Sequence, residues 1–184
     1  MVKAVPVPIR EILGTNREIN LKSAVQNFSC RDKEVEGFLK SKAFEFDVRH
    51  KSRTYLMVDE QQINNDEPII YGFFTLTMKT LELGETLSKS IIKRIDGFSK
   101  DVQATEAILI GQLGKNQDFQ NEIDGQSILD EALDTVDDIH KLAGGRIVFL
   151  ECDENPKLVD FYSRNGFIPL QKCGDYLQMI RYLQ

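Results

Sequence analysis

The feature that most constrains this chain is a run of segments between residues 107 and 170 whose apolar period switches from strand to helix and back. Ala107-Ile-Leu-Ile-Gly-Gln-Leu113 is the most apolar strand candidate. After a polar loop, Ile128, Leu129, Ala132, Leu133, Val136, Ile139 and Ala143 recur on one face of a helix, which Gly144-Gly145 ends. Arg146-Ile-Val-Phe-Leu150 is a further strand. Asn155-Pro156 then opens a helix, with Asn as cap and Pro in the first turn, and Gly166 closes it. Strand–helix–strand units of this kind imply a sheet covered by helices.

The upstream half starts differently. Val35, Phe38, Leu39, Ala43 and Phe46 fall on one helix face, with Ser29 and Asp32 as candidate caps. Thr54–Val58 and Ile69–Thr77 are β-branched and aromatic-rich and pair as a hairpin across a polar stretch with Asn64-Asn65-Asp66 as turn chemistry. Residues 79–106 form a long excursion with a short amphipathic helix marked by Leu87, Ile91, Ile92 and Ile95. Phe167–Leu170 and Tyr176–Leu183 are two final strands around Cys173-Gly174-Asp175. Residues 1–27, with Pro6, Pro8 and Gly14, give a short strand or arm. The fold class is therefore α/β (α+β), a mixed sheet covered by helices, in one domain spanning residues 1–184.

Composition excludes several function classes. No apolar run approaches the roughly 18 residues of a membrane span, so no membrane partner is expected. A net charge of −6 argues against broad, non-specific nucleic-acid binding, though not against a local basic patch. Arg49, His50, Lys51 and Arg53, beside Tyr55, are the densest such patch. The three cysteines, Cys30, Cys152 and Cys173, show no paired spacing, which suggests reduced thiols in a cytoplasmic setting. With only His50 and His140 available, no metal site is expected.

The segment from Ala107 onward resembles the GNAT superfamily of N-acetyltransferases, most specifically in Asn155-Pro-Lys-Leu-Val-Asp-Phe-Tyr-Ser-Arg-Asn-Gly-Phe167. In that family a capping Asn is followed seven residues later by a Tyr and then by Gly-Phe. Asn155, Tyr162, Gly166 and Phe167 reproduce the pattern. Phe28-Ser-Cys30, the helix through Phe38-Leu39 and Ala43, Ser52-Arg-Thr-Tyr55 and Tyr71-Gly-Phe-Phe-Thr-Leu76 are similar to the branch of toxin–antitoxin operons, whose members acetylate the amine of aminoacyl-tRNA. Together the resemblances cover about residues 28–183.

The resemblance implies a GNAT fold, a mixed, mostly antiparallel sheet flanked by helices, with a strand splay that binds acetyl-CoA. It implies an N-acetyltransferase acting on a primary amine, with aminoacyl-tRNA as the leading acceptor and a second copy of the chain as a further candidate partner. The backbones of Leu113 and Lys115 would bond the pantetheine arm. The pyrophosphate loop, of the form Gln/Arg-x-x-Gly-x-Gly/Ala, corresponds to Gln120-Asn121-Glu122-Ile123-Asp124-Gly125, running into Gln126 and Ser127. Gln120 and Gly125 fit, and Ile123 stands where the first Gly belongs. Asn155 would join the cofactor site, and Tyr162 would protonate the departing thiolate. Glu106 and Glu151 end up as candidate bases, and Arg49, Lys51 and Arg53 as contacts to an RNA acceptor. The alternative is a degenerate GNAT domain with impaired CoA binding that acts as an interaction module; Ile123, Glu122 and Asp124 favour it.

Overall fold

The computed structural model describes residues 2–62 and 68–184. The Asn64-Asn65-Asp66 turn lies outside the described residues. Seven strands, β1 (Ala4–Pro8), β2 (Arg53–Asp59), β3 (Ile70–Glu82), β4 (Ala104–Lys115), β5 (Ile147–Asp153), β6 (Ile168–Cys173) and β7 (Tyr176–Tyr182), join in the order β1-β2-β3-β4-β5-β7-β6. Among the described residues six α-helices accompany them: α1 (Glu18–Gln26), α2 (Lys33–Ser41), α3 (Ala43–Val48), α4 (Lys89–Asp96), α5 (Gly125–Ala143) and α6 (Pro156–Arg164). The mixed, mostly antiparallel sheet expected from the sequence is the one observed. Among the described residues no helix is long and apolar enough to cross a membrane.

The chain divides into two compact units. The first comprises residues 1–77 and 112–135. Here β1 lies antiparallel to β2, from Ala4↔Asp59 to Pro8↔Tyr55, and β2 lies antiparallel to β3 with a bulge at Met57/Val58. The helices bury Leu21, Val25, Phe28 and Leu39 against Leu56 and Phe73, and Phe28 meets Phe73 edge-on at 5.5 Å. Asp32 caps α2 by accepting from the N–H groups of Glu34 and Val35. The single helix expected from Val35 to Phe46 is broken at Lys42, whose φ of −118° leaves the helical range. Residues 1–27 hold the expected strand, β1, and also α1, which the sequence reading missed.

Gly72 sets how α5 enters this unit. A Cβ on Gly72 would stand 2.5 Å from Ile128 Cδ1 and 2.9 Å from the carbonyl oxygen of Gly114. Ile128 is fully buried. The first turns of α5 thus seat on bare backbone, and that fixes the helix start next to the polar loop.

The second unit comprises residues 78–111 and 136–184. β4 pairs with β5 in parallel, from Ile108↔Val148 to Ile110↔Leu150. β5 is antiparallel to β7, from Ile147↔Tyr182 to Asp153↔Tyr176, and β7 is antiparallel to β6. Leu81, Ile95, Leu109, Phe149 and Ile180 form its apolar cluster. β3 runs on to Glu82 and β4 begins at Ala104, so the excursion is shorter than the sequence suggested. The extension follows from Leu81, which a strand carries into that cluster. α4 lies where Leu87–Ile95 predicted it, capped by Ser88.

Replacing Gly72 by Ala should cost about 1–3 kcal/mol, because the methyl meets a buried side chain and a backbone oxygen with no room to yield. A melting temperature unchanged in Gly72→Ala would show that α5 is free to shift.

Candidate active site

In the second unit the Asn155–Phe167 segment folds as its residue types require. The Asn155 side chain accepts from the N–H of Lys157, and its backbone oxygen accepts from Leu158 and Val159. Gly166, at φ 82°, turns the chain after α6. The N–H of Phe167 then donates back to the carbonyl of Tyr162 at 3.1 Å. This return brings the Phe167 ring to 5.9 Å from the Tyr162 ring, and Phe161 stands at 5.1 Å on another side. Spacing and chemistry are therefore one device, in which the glycine lets an aromatic wall form beside the tyrosine.

Tyr162 is half-buried between these rings. Burial, with a smaller contribution from the neighbouring Cys152, pushes its phenol up to about 12. At neutral pH the group keeps its proton. Cys152 is itself buried, its thiol is raised by burial and by Asp153, and its Sγ points at Met179 Sδ 3.9 Å away. It is a small packed side chain rather than a nucleophile.

The two candidate bases differ. Glu106 is exposed and accepts from the Thr80 hydroxyl at 2.7 Å. Glu151 is half-buried, faces Lys79 at 3.6 Å and accepts from Gln178 Nε2 at 2.8 Å.

In the first unit, β4 ends beside the polar loop. The N–H groups of Gln112 and Asn116 donate towards β3, to Thr75 Oγ1 and the Tyr71 carbonyl. Backbone groups alternate along a strand, so those of Leu113 and Lys115 point to the opposite edge. The Lys115 ammonium donates to the carbonyl of Gln120 at 3.3 Å. A 3₁₀ turn at Gln117–Phe119, capped by Asn116, leads into the loop. Gln120 and Asn121 are exposed, while Glu122 is half-buried and its carbonyl accepts from the N–H of Val2.

Ile123 does not take up the strained conformation that a glycine there would suggest. Among the described residues only His50 combines a side chain with a positive φ. The Ile123 side chain is 3% exposed and so belongs to the interior. The loop solves the substitution by turning the side chain inward. Asp124 instead occupies the helix start: its Oδ1 accepts from the N–H and the hydroxyl of Ser127, both at 2.7 Å, and these bonds hold its carboxyl below the usual range. Gly125 and Gln126 are half-buried in the first turn, and Ser127 is exposed.

The basic cluster is also part of the first unit. Arg49 pairs with Glu45 at 2.9 Å. Arg53 donates to the carbonyl and carboxylate of Asp47, and to His50 Nδ1 at 2.9 Å. Arg10, which the sequence reading did not single out, joins the same carboxylate at 3.5 Å. Asp47 is 0% exposed, so this cluster has a structural task in neutralising a buried charge. Lys51 is exposed beside it. Among the described residues no group of three His, Cys, Asp or Glu side chains could hold a metal.

No family model matches the chain, and no curated protein matches it in sequence. Solved structures do. That of a bacterial toxin gives a TM-score of 0.73 at 16% identity, over 99% of this chain and 92% of its own. AtaT complexed with acetyl-methionyl-tRNAfMet gives 0.67 at 22% identity, over 86% of each chain. A tyrosine-to-phenylalanine mutant of KacT gives 0.68 at 23% identity, over 86% of each chain. AtaTR has also been solved with acetyl-CoA. At these identities the likeness is one of fold, and the fold is the GNAT fold expected from the sequence.

Asp124→Ala should lose about 1 kcal/mol through the missing cap. The sign of its pH dependence follows from the depressed carboxyl. The cap's stability is full above the unfolded value and is lost as pH falls through the folded one, so wild type and variant should converge in acid. Urea titrations at neutral and acidic pH check this; a gap that widens in acid would contradict it.

Proposed function

We propose that this chain is an acetyl-CoA-dependent N-acetyltransferase whose acceptor is the amine of an aminoacyl-tRNA, and that it acts as a toxin. The observation that carries the reading is Tyr162, a phenol kept protonated between Phe161 and Phe167 on the Asn155–Phe167 turn. It gains support from AtaT, complexed with acetyl-methionyl-tRNAfMet and, as AtaTR, with acetyl-CoA.

The residues present fit acetyl-CoA, which supplies an acetyl group activated as a thioester. Leu113 and Lys115 offer backbone groups on the edge away from β3, as a pantetheine arm requires. Backbone N–H groups at the start of the 19-residue α5 and the Lys115 ammonium would be the donors for a pyrophosphate, those of Glu122 and Ser127 being already held by the Phe119 carbonyl and Asp124 Oδ1. Ile123 leaves that approach open because its side chain is buried. Asn155, in the second unit, spends its Oδ1 on the helix cap, which leaves Nδ2 as the donor its side chain has to offer.

Tyr162 acts as hydrogen-bond donor to the thiolate as charge develops on it. A thiol titrates near 8.5, about 3–4 units below this phenol, so in water full proton transfer would be uphill by roughly 5 kcal/mol. The burial that raises the phenol also raises a thiolate placed beside it, which narrows the mismatch. Arg49 and Lys51 are the cations that would meet the RNA, and Arg53 supports them from Asp47. The interaction-module reading is favoured by one observation, Asp124 already bonded where the pyrophosphate would sit.

Calorimetry with acetyl-CoA separates the two readings; absence of binding at millimolar ligand would leave the module. For the enzyme, Tyr162→Phe should lower kcat at least about tenfold on an aminoacyl-tRNA, with acetyl-CoA affinity and melting temperature barely changed. Wild-type kcat should show no alkaline fall where an ordinary tyrosine near 10 titrates, because this one holds its proton to about 12. Full turnover in Tyr162→Phe would remove the hydroxyl from the mechanism.

A further inference from the structure

We propose that Arg10 and Arg53, braced on the buried Asp47, form a binding site for one phosphate of an RNA, and that His50 occupies this site in the free protein as a stand-in which the phosphate displaces. RNA as the source of the phosphate rests on the aminoacyl-tRNA reading above.

The cluster holds more donors than it can satisfy. Arg10 comes from the 3₁₀ turn Ile9–Glu11, Asp47 from α3 and Arg53 from the start of β2. One carboxylate needs one cation, and Asp47 has two. Arg53 Nη1 stands 3.1 Å and Arg10 Nη1 3.5 Å from the same Oδ1. Its Oδ2 is taken by the Thr54 N–H at 3.1 Å. The Asp47 carbonyl has two lone pairs and faces three donors within 3.2 Å: the His50 N–H, Arg53 Nη1 and Arg10 Nη1. Glu45 adds no acceptor, because it pairs with Arg49 at 2.9 Å.

His50 meets the remaining N–H groups poorly. Arg53 Nη2 stands 2.9 Å and Arg10 Nη1 3.2 Å from His50 Nδ1. A guanidinium can only donate, so Nδ1 is the acceptor, and its single lone pair is split between two donors. The ring proton is then on Nε2, where Arg10 Nη2 at 3.4 Å is a donor facing a donor. The backbone under the ring is strained as well. Its φ is 58°, and among the described residues no other non-glycine takes a positive φ. His50 and Arg10 are both exposed, so the ring can leave without opening the core.

A phosphate diester brings one negative charge and oxygens with several lone pairs, in a geometry that guanidinium forks match. It supplies what the cluster lacks: an anion for the second guanidinium, and acceptors for the N–H groups that crowd one imidazole nitrogen. Asp47 holds both forks in place from below, and this adds Arg10 to the residues that meet the RNA and gives Arg53 a direct contact.

RNA binding is measured without acetyl-CoA, as the affinity of unacylated tRNA by fluorescence anisotropy across a salt series. His50→Gly relieves the φ and removes the stand-in, so it should tighten binding at least about threefold, although it deletes a member of the basic cluster. Arg10→Ala should weaken binding about tenfold and lower the slope of log Kd against log salt by about one. The gain from His50→Gly should vanish in an Arg10→Ala background, because both act through one site. In the wild type, which needs no variant to fold, RNA should shift the His50 ring-nitrogen signals in NMR, and inorganic phosphate should reproduce that shift and compete with RNA. Weaker binding in His50→Gly would make the imidazole a ligand and overturn the proposal. An unchanged salt slope in a folded Arg10→Ala, or ring signals that RNA does not move, would overturn it too. Ring signals moved by inorganic phosphate alone would assign the site to free phosphate and remove the RNA. If the wild type acetylates no aminoacyl-tRNA yet binds RNA in the expected pattern, the enzyme reading falls and this site stands. If it acetylates while His50→Gly binds RNA more weakly, the enzyme stands and this inference falls.

Discussion

A parallel contact of three residues, Ile108–Ile110 on Val148–Leu150, dictates much of the rest. Parallel neighbours cannot be joined by a tight turn; the chain must leave one strand and return to begin the next from the same side. α5 is that return, which is why a 19-residue helix with an unbroken apolar stripe lies between β4 and β5. Its start is then set by contact geometry. Ile128 can pack only because Gly72 has no side chain, and the polar loop that precedes the helix is held in consequence. β1–β2, β2–β3, β5–β7 and β6–β7 pair antiparallel, and of these β6 and β7 are joined by the short turn at Gly174-Asp175.

β5 has a second consequence in its own unit. Its central residues, Ile147–Leu150, are buried on both faces and anchor it, whereas Glu151 and Cys152 lie where the strand emerges from the apolar cluster. The face bearing Cys152 is dry, and the dryness lifts both that thiol and the Tyr162 phenol. On the other face, beyond Ile147 and Phe149 of the apolar cluster, the strand end is polar at Glu151, with Lys79, Gln178 and Gln171 around it. A single strand end thus has on one face the dry setting that keeps the Tyr162 phenol protonated and on the other a chain of hydrogen-bonded amides.

Period and punctuation made most elements legible. The α5 stripe, the Asn155-Pro156 start and the Gly166 stop are signals carried by neighbouring residues, and they lie as read except that Ala143, at the end of the stripe, is exposed. α1 was not legible because only Leu21 and Val25 of its residues are buried while Ile19 is exposed, too few positions to establish a helical period. The role of Arg10 was hidden for another reason: it meets Asp47 from 37 positions away. The Gly84–Gln171–Gln178–Glu151 chain likewise joins residues as much as 87 apart, and a glutamine in a strand carries no mark of its partner. Ile123 shows the limit of a motif. The pattern has glycine there, yet backbone conformation is not a property of one residue type, and a buried side chain with ordinary φ satisfies the same turn.

Asp124 decides how such a loop meets an anion. Its carboxylate is already bonded to the N–H and hydroxyl of Ser127 at the positive end of α5, so the helix start is satisfied from within. A bound pyrophosphate must either share those donors or displace the side chain. The cap it would displace stabilises the helix by about 1 kcal/mol. Hydrogen bonds to a charged group contribute about 1.5–3 kcal/mol each. Two such bonds from the 121–127 backbone, with Lys115 alongside, outweigh the cap, and Asp124 is exposed and free to turn outward. Under the acetyl-CoA reading proposed above, the carboxylate would lower affinity without closing the site, while it holds the helix start in order.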